Sequence, residues 1–233
     1  MKKIFIALCI SVLVAFSSSF ASAEDRTTKQ EPEGSISTEE ETGEEQTEES
    51  IPTTDSIGKQ QLEGSITSLI TALTDKELVK DQVAKREKIK EILNARFSAT
   101  EMAKRTLGRK WKKISPEQRE EFASTLRRLI ISSYIGKIED YKDEEVIYRN
   151  EKLVKDRYME IETTVVGGKD NFSVNYKIKD FGGNWLIYDI YIEGISLINN
   201  YRSQFQSFLK KKSFSELISH LKETLQEVED KNV

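Results

Sequence analysis

The chain has 233 residues, with 36 Lys and Arg against 40 Asp and Glu for a formal charge of -4, one His and one Cys. One histidine excludes His-based triads and multi-His metal sites, and one cysteine leaves no disulfide scaffold or thiolate cluster. The average also hides three unlike pieces: residues 1–23 are +2, residues 24–58 set twelve acids against Arg26 and Lys29 for -10, and residues 59–233 carry 32 bases and 28 acids for +4.

Met1-Lys2-Lys3, the run Ile4 to Phe16 and Ala21-Ser22-Ala23 read as the basic, apolar and cleavage regions of a secretory signal. Thirteen residues in a helix rise about 20 Å, short of the roughly 30 Å of a bilayer core, so an anchor is disfavoured. Residues 1–23 are therefore expected to be removed, taking Cys9 with them, and the mature chain to reach the periplasm. Residues 24–58 contain no aromatic residue and few apolar ones. Such a stretch buries too little surface to offset backbone entropy and reads as an acidic disordered linker, either a spacer or an arm that folds back on a basic domain. Residues 59–233, the remaining domain, are long enough to bury a core without staples.

In that domain Leu62, Ile66, Leu69, Ile70 and Leu73 recur at helical spacing, and Leu78, Val79, Val83, Ile89, Ile92 and Leu93 continue as a second stripe. Ser98-Ala99-Thr100-Glu101 predicts a capping box ahead of Met102, Ala103, Leu107 and Trp111. Ser115-Pro116-Glu117-Gln118 repeats it with proline at the first helical position, opening a long helix through Phe122, Leu126, Leu129, Ile130, Tyr134, Ile138 and Tyr141. Between about 144 and 193 the period becomes two, with turns at Gly167-Gly168 and Gly182-Gly183. The strand Trp185 to Ile192 is apolar on both faces apart from Asp189, which predicts a central, covered position. Helices resume at Ser196 and Ser213. The order predicts an α+β domain: a curved antiparallel sheet of about four strands wrapped by N- and C-terminal helices.

Chemistry-bearing residues are sparse. His220, among Ser219, Lys222 and Glu223, reads as a solvated surface histidine, and no GxGxxG, phosphate loop or HExxH spacing occurs. Asp189 admits two readings, a hydrogen-bond acceptor that fixes its strand or a buried general base in an apolar pocket. Bases cluster at Lys104, Arg105, Arg109, Lys110, Lys112 and Lys113, at Arg127 and Arg128, and at Lys210 to Lys212. In an exported protein such clusters are solvated helix faces or docking surfaces for acidic proteins or anionic headgroups rather than nucleic-acid sites.

Several segments occur together in one family. Leu107-Gly108-Arg109-Lys110-Trp111, Ile114 to Arg119, Trp185 to Asp189, Glu193-Gly194-Ile195-Ser196 and Tyr201 to Phe205 keep their order over residues 65–222. In these the chain resembles the MlaC family of periplasmic phospholipid-binding proteins, also called the toluene-tolerance auxiliary family. Phe97-Ser98 and Ser213 depart from the family's pattern, both at helix boundaries where serine caps well. The resemblance implies an NTF2-like, MlaC-like fold and a monomeric, non-enzymatic carrier that needs no cofactor or metal. Such a carrier takes phospholipid between an outer-membrane lipoprotein complex and an inner-membrane ABC transporter with its substrate-binding subunit, which maintains outer-membrane lipid asymmetry. The pocket walls expected on that basis are Leu107, Trp111, Leu126, Ile130, Tyr134, Tyr176, Ile178, Trp185, Ile187 and Tyr188. Glu193 and Ser196 are expected to shape a strand-to-helix turn, and Arg202 to pair with Asp189 or Glu193 or to reach a headgroup. Alternatives are a hopanoid or solvent as cargo, an NTF2-like enzyme using Asp189, or an adaptor with a filled interior.

Overall fold

The computed structural model describes residues 56–232 apart from Lys142, Gly168 and Lys169. The expected signal, nearly all of the acidic linker and half of the Gly167-Gly168 turn lie outside the described residues.

The domain opens one step earlier than its composition suggests. Helix α1, Ile57–Thr74, starts two residues inside the expected linker because the Ser56 hydroxyl accepts from the Lys59 N–H as N-cap. Asp75 then ends it, accepting from the Glu77 and Leu78 N–H groups, and Asp81 restarts the chain as α2, Gln82–Arg96, by accepting from Val83 and Ala84. Asp75 thus separates the two apolar stripes, and Asp81 cuts the second. Val79 and Val83, expected on it, stand 45% and 75% exposed, whereas Ile89 is fully buried.

Helix α3, Ala99–Leu107, has Ser98 at its N-cap without the expected capping box. Glu101, the acid that would complete it, is drawn elsewhere, to Lys179 at 3.0 Å and Arg105 at 3.1 Å. A 3-10 stretch, Gly108–Lys113, opens on a glycine with φ of 55°, which turns half-buried Trp111 off the α3 stripe and onto the core from outside. Helix α4, Pro116–Glu139, forms the expected capping box in full: Ser115 accepts from the Gln118 N–H and the Gln118 side chain accepts from the Ser115 N–H.

The sheet is antiparallel, in the order β1 (Glu145–Lys155), β2 (Tyr158–Gly167), β3 (Asp170–Asp180), β4 (Trp185–Ile192) and a two-residue β5 (Ile195–Ser196). Gly182 and Gly183, both at positive φ, make the β3–β4 turn. One irregularity decides which side chains face inward. Lys177 pairs with Asp189 but Ile178 pairs with Ile187, so Tyr188 is an extra residue on β4. After this bulge Ile190 and Ile192, opposite Tyr176 and Val174, share the face of Ile187. Without it the period of two would have aligned Asp189 and Tyr191 with Ile187.

Helix α5, Leu197–Phe208, and helix α6, Phe214–Lys231, close the fold. α6 lies along α4, tied by Lys222 to Glu121 and Arg128 to Glu229. His220 is not a solvated surface group: it is half-buried and its ring stacks on Phe208 with centroids 5.6 Å apart.

Two consequences are testable. Gly58 is buried where an added Cβ would come within 2.9 Å of Ile178 Cδ1 and 3.1 Å of the Trp185 ring, whereas Gly64 on the same helix faces open space. Gly58→Leu should therefore lower stability by about 1–3 kcal/mol through overpacking, while Gly64→Ala should raise it by about 0.5–1 kcal/mol through helix propensity, both read by thermal melting. At α6, backbone donation from Ser213 and then the Lys212 ammonium hold the Glu216 carboxyl down at about 2, against an ordinary value of 4.5. A carboxyl lowered by folding stabilises above its unfolded pKa and loses that contribution as pH falls. The first turn of α6 should accordingly lose amide protection between pH 4.5 and about 2, and Glu216→Gln should flatten that dependence.

Candidate functional site

The apolar interior is split. A large cluster runs from Leu62 through α3, α4, β2–β4, α5 and α6, and a small one, Leu73, Ile89 and Ile135, lies where α1, α2 and α4 meet, joined by half-buried Leu69, Leu93 and Ile138. Beside the split lies a cavity of about 220 Å³, walled by residues of the large cluster and by half-buried Leu69, Leu93 and Ile138, which pack on the small one. Leu62, Ile66 and Leu69 come from α1, Ile92 and Leu93 from α2, and Ile130, Tyr134 and Ile138 from α4. The sheet supplies Phe172, Val174 and Tyr176 from β3 and, through the bulge, Ile187, Ile190 and Ile192 from β4.

The polar lining residues are few, and most are committed. Arg96 donates to the Ser65 hydroxyl at 2.7 Å, to Gln61 Oε1 at 3.2 Å and to the Trp185 carbonyl at 2.8 Å. Its burial lowers its pKa, yet an arginine stays protonated at any physiological pH. Burial pushes the Tyr176 phenol up to about 12, so the ring meets the cavity as a neutral group. Lys137, near the C-terminal end of α4, pairs with Asp140 at 3.7 Å. An interior of this kind suits an apolar guest with at most one anionic group at its edge.

Four of the ten expected wall residues line the cavity: Ile130, Tyr134, Tyr176 and Ile187. Six do not. Leu107, Leu126 and Ile178 are spent in close packing at 3%, 0% and 1% exposure. Trp111 and Trp185 pack on the core from its flanks, Trp185 against Gly58. Tyr188, pushed out by the bulge, lies under the Arg105 guanidinium at 3.9 Å and edge-on to Tyr158. Sequence reasoning did not place Leu62, Ile66, Leu69 and Leu93 at the wall, although it set them on helical stripes. Ile190 and Ile192 needed the bulge to reach it.

Asp189 is not among the lining residues. It is 6% exposed, and its oxygens accept from the Ser196 hydroxyl at 2.6 Å and the Ile198 N–H at 3.1 Å, while Ser196 accepts from Asn199 as N-cap of α5. Burial pushes its pKa up, and the Ser196 hydroxyl and Ile198 N–H oppose that. It is the acceptor that seats the start of α5. Glu193 does shape the turn, at φ of 50° and accepting from the Ser173 N–H at 2.6 Å. The expected pairing of Arg202 with either acid does not form; Arg202 stands exposed beside Gly108, because Asp189 is already taken by the helix it seats. Among the described residues there is no group of three or more His, Cys, Asp or Glu placed to hold a metal, and no helix is long and apolar enough to cross a membrane.

This architecture has a solved counterpart. The chain resembles the phospholipid-binding protein from Ralstonia solanacearum, solved in complex with a phospholipid, with a TM-score of 0.66 at 20% identity over 73% of this chain and 98% of that one. That likeness establishes the fold: helices flanking an open, curved antiparallel sheet. No curated protein matches the chain. The family model described as MlaC protein matches residues 63–223, which span α1 from its second turn to the middle of α6 and include every strand. With more than half of its length so matched, the chain belongs to the MlaC protein family.

Proposed function

We propose that this protein is a phospholipid carrier of the periplasm, which ferries lipid between an outer-membrane complex and an inner-membrane ABC transporter and so supports outer-membrane lipid asymmetry. The observation that carries this reading is the cavity: about 220 Å³, walled almost wholly by aliphatic and aromatic side chains. The Ralstonia protein of the same fold holds a phospholipid. Each methylene taken from water is worth about 0.8 kcal/mol, so an acyl tail crosses an aqueous compartment at little cost when a protein wall replaces the water. The cavity is smaller than the roughly 300–1,000 Å³ of sites that enclose a drug-sized ligand, so it takes acyl chain and leaves the headgroup outside. Lys137, weakly paired at the cavity's edge, meets the phosphate.

On this reading residues 1–23 direct export and are removed, residues 24–55 are an acidic tether, and the monomer transforms nothing. Asp189 serves α5 rather than a substrate. Mass spectrometry of organic extracts from the purified protein tests the proposal. Co-purifying phospholipid, reloaded from vesicles after stripping, is the expected result. A hopanoid or aromatic solvent in its place would reassign the cargo, and an extract without any apolar molecule, with no uptake from vesicles, would sink the carrier reading.

A further inference from the structure

Seven large hydrophobic side chains are exposed among the described residues, and four of them gather at one end: Ile57 at 63%, Leu153 at 58%, Val154 at 48% and Phe181 at 40%. Hydrogen bonds hold that end together. The two hairpin tips are joined by Arg157, whose guanidinium donates to the Asp180 carbonyl at 2.9 Å and whose own carbonyl accepts from the Asp180 N–H at 3.0 Å. Gln61 of α1 donates to the Gly183 carbonyl in the β3–β4 turn at 2.7 Å, and Ser56 donates to Glu151 of β1 through both its N–H and its hydroxyl. The exposed charges on the two tips are Lys152, Lys155 and Arg157 against Asp156. Apolar side chains standing out of a braced surface among excess cations are what an anionic bilayer surface binds: headgroups meet the bases while the apolar groups enter the acyl boundary.

We propose that this tip is a membrane-docking surface for anionic phospholipid bilayers. None of its four apolar residues lines the cavity, which takes the first half of β3, Phe172 to Tyr176, while the tip lies beyond the strand's other end. Docking and cargo binding are thus separable. The proposal uses export to a membrane-bounded compartment but not the cargo, so it survives if the cargo proves to be something other than phospholipid. The acidic stretch that enters at Ser56 is a competing occupant, since it carries the opposite charge and ends at the tip.

The form starting at Glu24 should float with vesicles of phosphatidylglycerol and phosphatidylethanolamine, and much less with phosphatidylcholine alone. Rising salt should weaken the binding. Lys152→Glu with Lys155→Glu, and separately Leu153→Ser with Phe181→Ser, should each cut the bound fraction roughly tenfold. These positions are exposed, so melting temperature and the lipid recovered in extracts should stay unchanged. Equal flotation of variants and parent would overturn the proposal, as would binding that ignores lipid charge. Flotation that begins only after residues 24–55 are deleted would also overturn it, by making that segment the occupant of the tip.

Discussion

Ile190→Trp should empty the protein of its cargo without unfolding it. Ile190 lies on β4 beyond the bulge, half-buried, with its side chain among the cavity's lining. The larger ring adds roughly six heavy atoms, and the cavity is where they go. Displacing about five methylenes of guest at about 0.8 kcal/mol each removes about 4 kcal/mol of affinity, roughly a thousandfold. Filling existing space avoids the strain of overpacking a dense core, and an aromatic residue suits a strand, so the melting temperature should hold or rise. Leu126→Trp is the contrasting variant. Leu126 is fully buried in the packed cluster and should destabilise rather than block uptake. The readout is lipid recovered after incubation with vesicles, set beside thermal melting of the same sample. An Ile190→Trp protein that loads as much lipid as its parent would mean that the cargo lies elsewhere.

The contrast between these two positions also marks where sequence reasoning stops. Periodicity identified Leu126 and Ile130 as inward residues of one helix, and both are inward; it carries nothing on whether the space they face is filled. Leu126 meets other side chains, and Ile130, one turn on, meets the cavity. The difference arises from the space left between two clusters of core residues, a property of six elements at once: α1, α2, α4, α5, β3 and β4. On β4 the loss was different in kind. An apolar run with alternate reading frames does not reveal which frame holds, and the extra residue at Tyr188 changes the frame midway. Serine caps were legible at Ser115, Ser196 and Ser213, where the acceptor and its N–H donor are local. At Ser98 the box failed because a distant lysine, Lys179, competed for Glu101. The split charge of the chain was legible outright, and residues 59–233 are the basic piece: the charges exposed on the hairpin tips, Lys152, Lys155 and Arg157 against Asp156, belong to it.

Asp189→Ala should be the most destabilising single change to a polar group. The carboxylate is buried and takes two donors, the Ser196 hydroxyl and the Ile198 N–H, at the junction where the chain turns from β5 into α5. Removing it strands both donors away from water at about 1–3 kcal/mol each, for a total of about 3 kcal/mol. In a domain of this size that lowers the melting temperature by about 10 °C. Asp189→Asn keeps one acceptor and should lose less. The two substitutions also separate burial from bonding through pH. Because burial raises the Asp189 pKa in the folded state, the fold binds a proton there more readily than the unfolded chain does. This group's contribution is therefore most favourable at low pH and declines as pH rises from the ordinary 3.8 through the raised folded value. The stability of the parent relative to Asp189→Asn should fall over that interval and then level off. A difference that stayed constant, or grew with pH, would mean that the hydrogen bonds from α5 outweigh burial and hold the carboxylate ionised. Since α5 supplies Leu197 to the cavity, the same measurement tests how firmly that wall is fastened to the sheet.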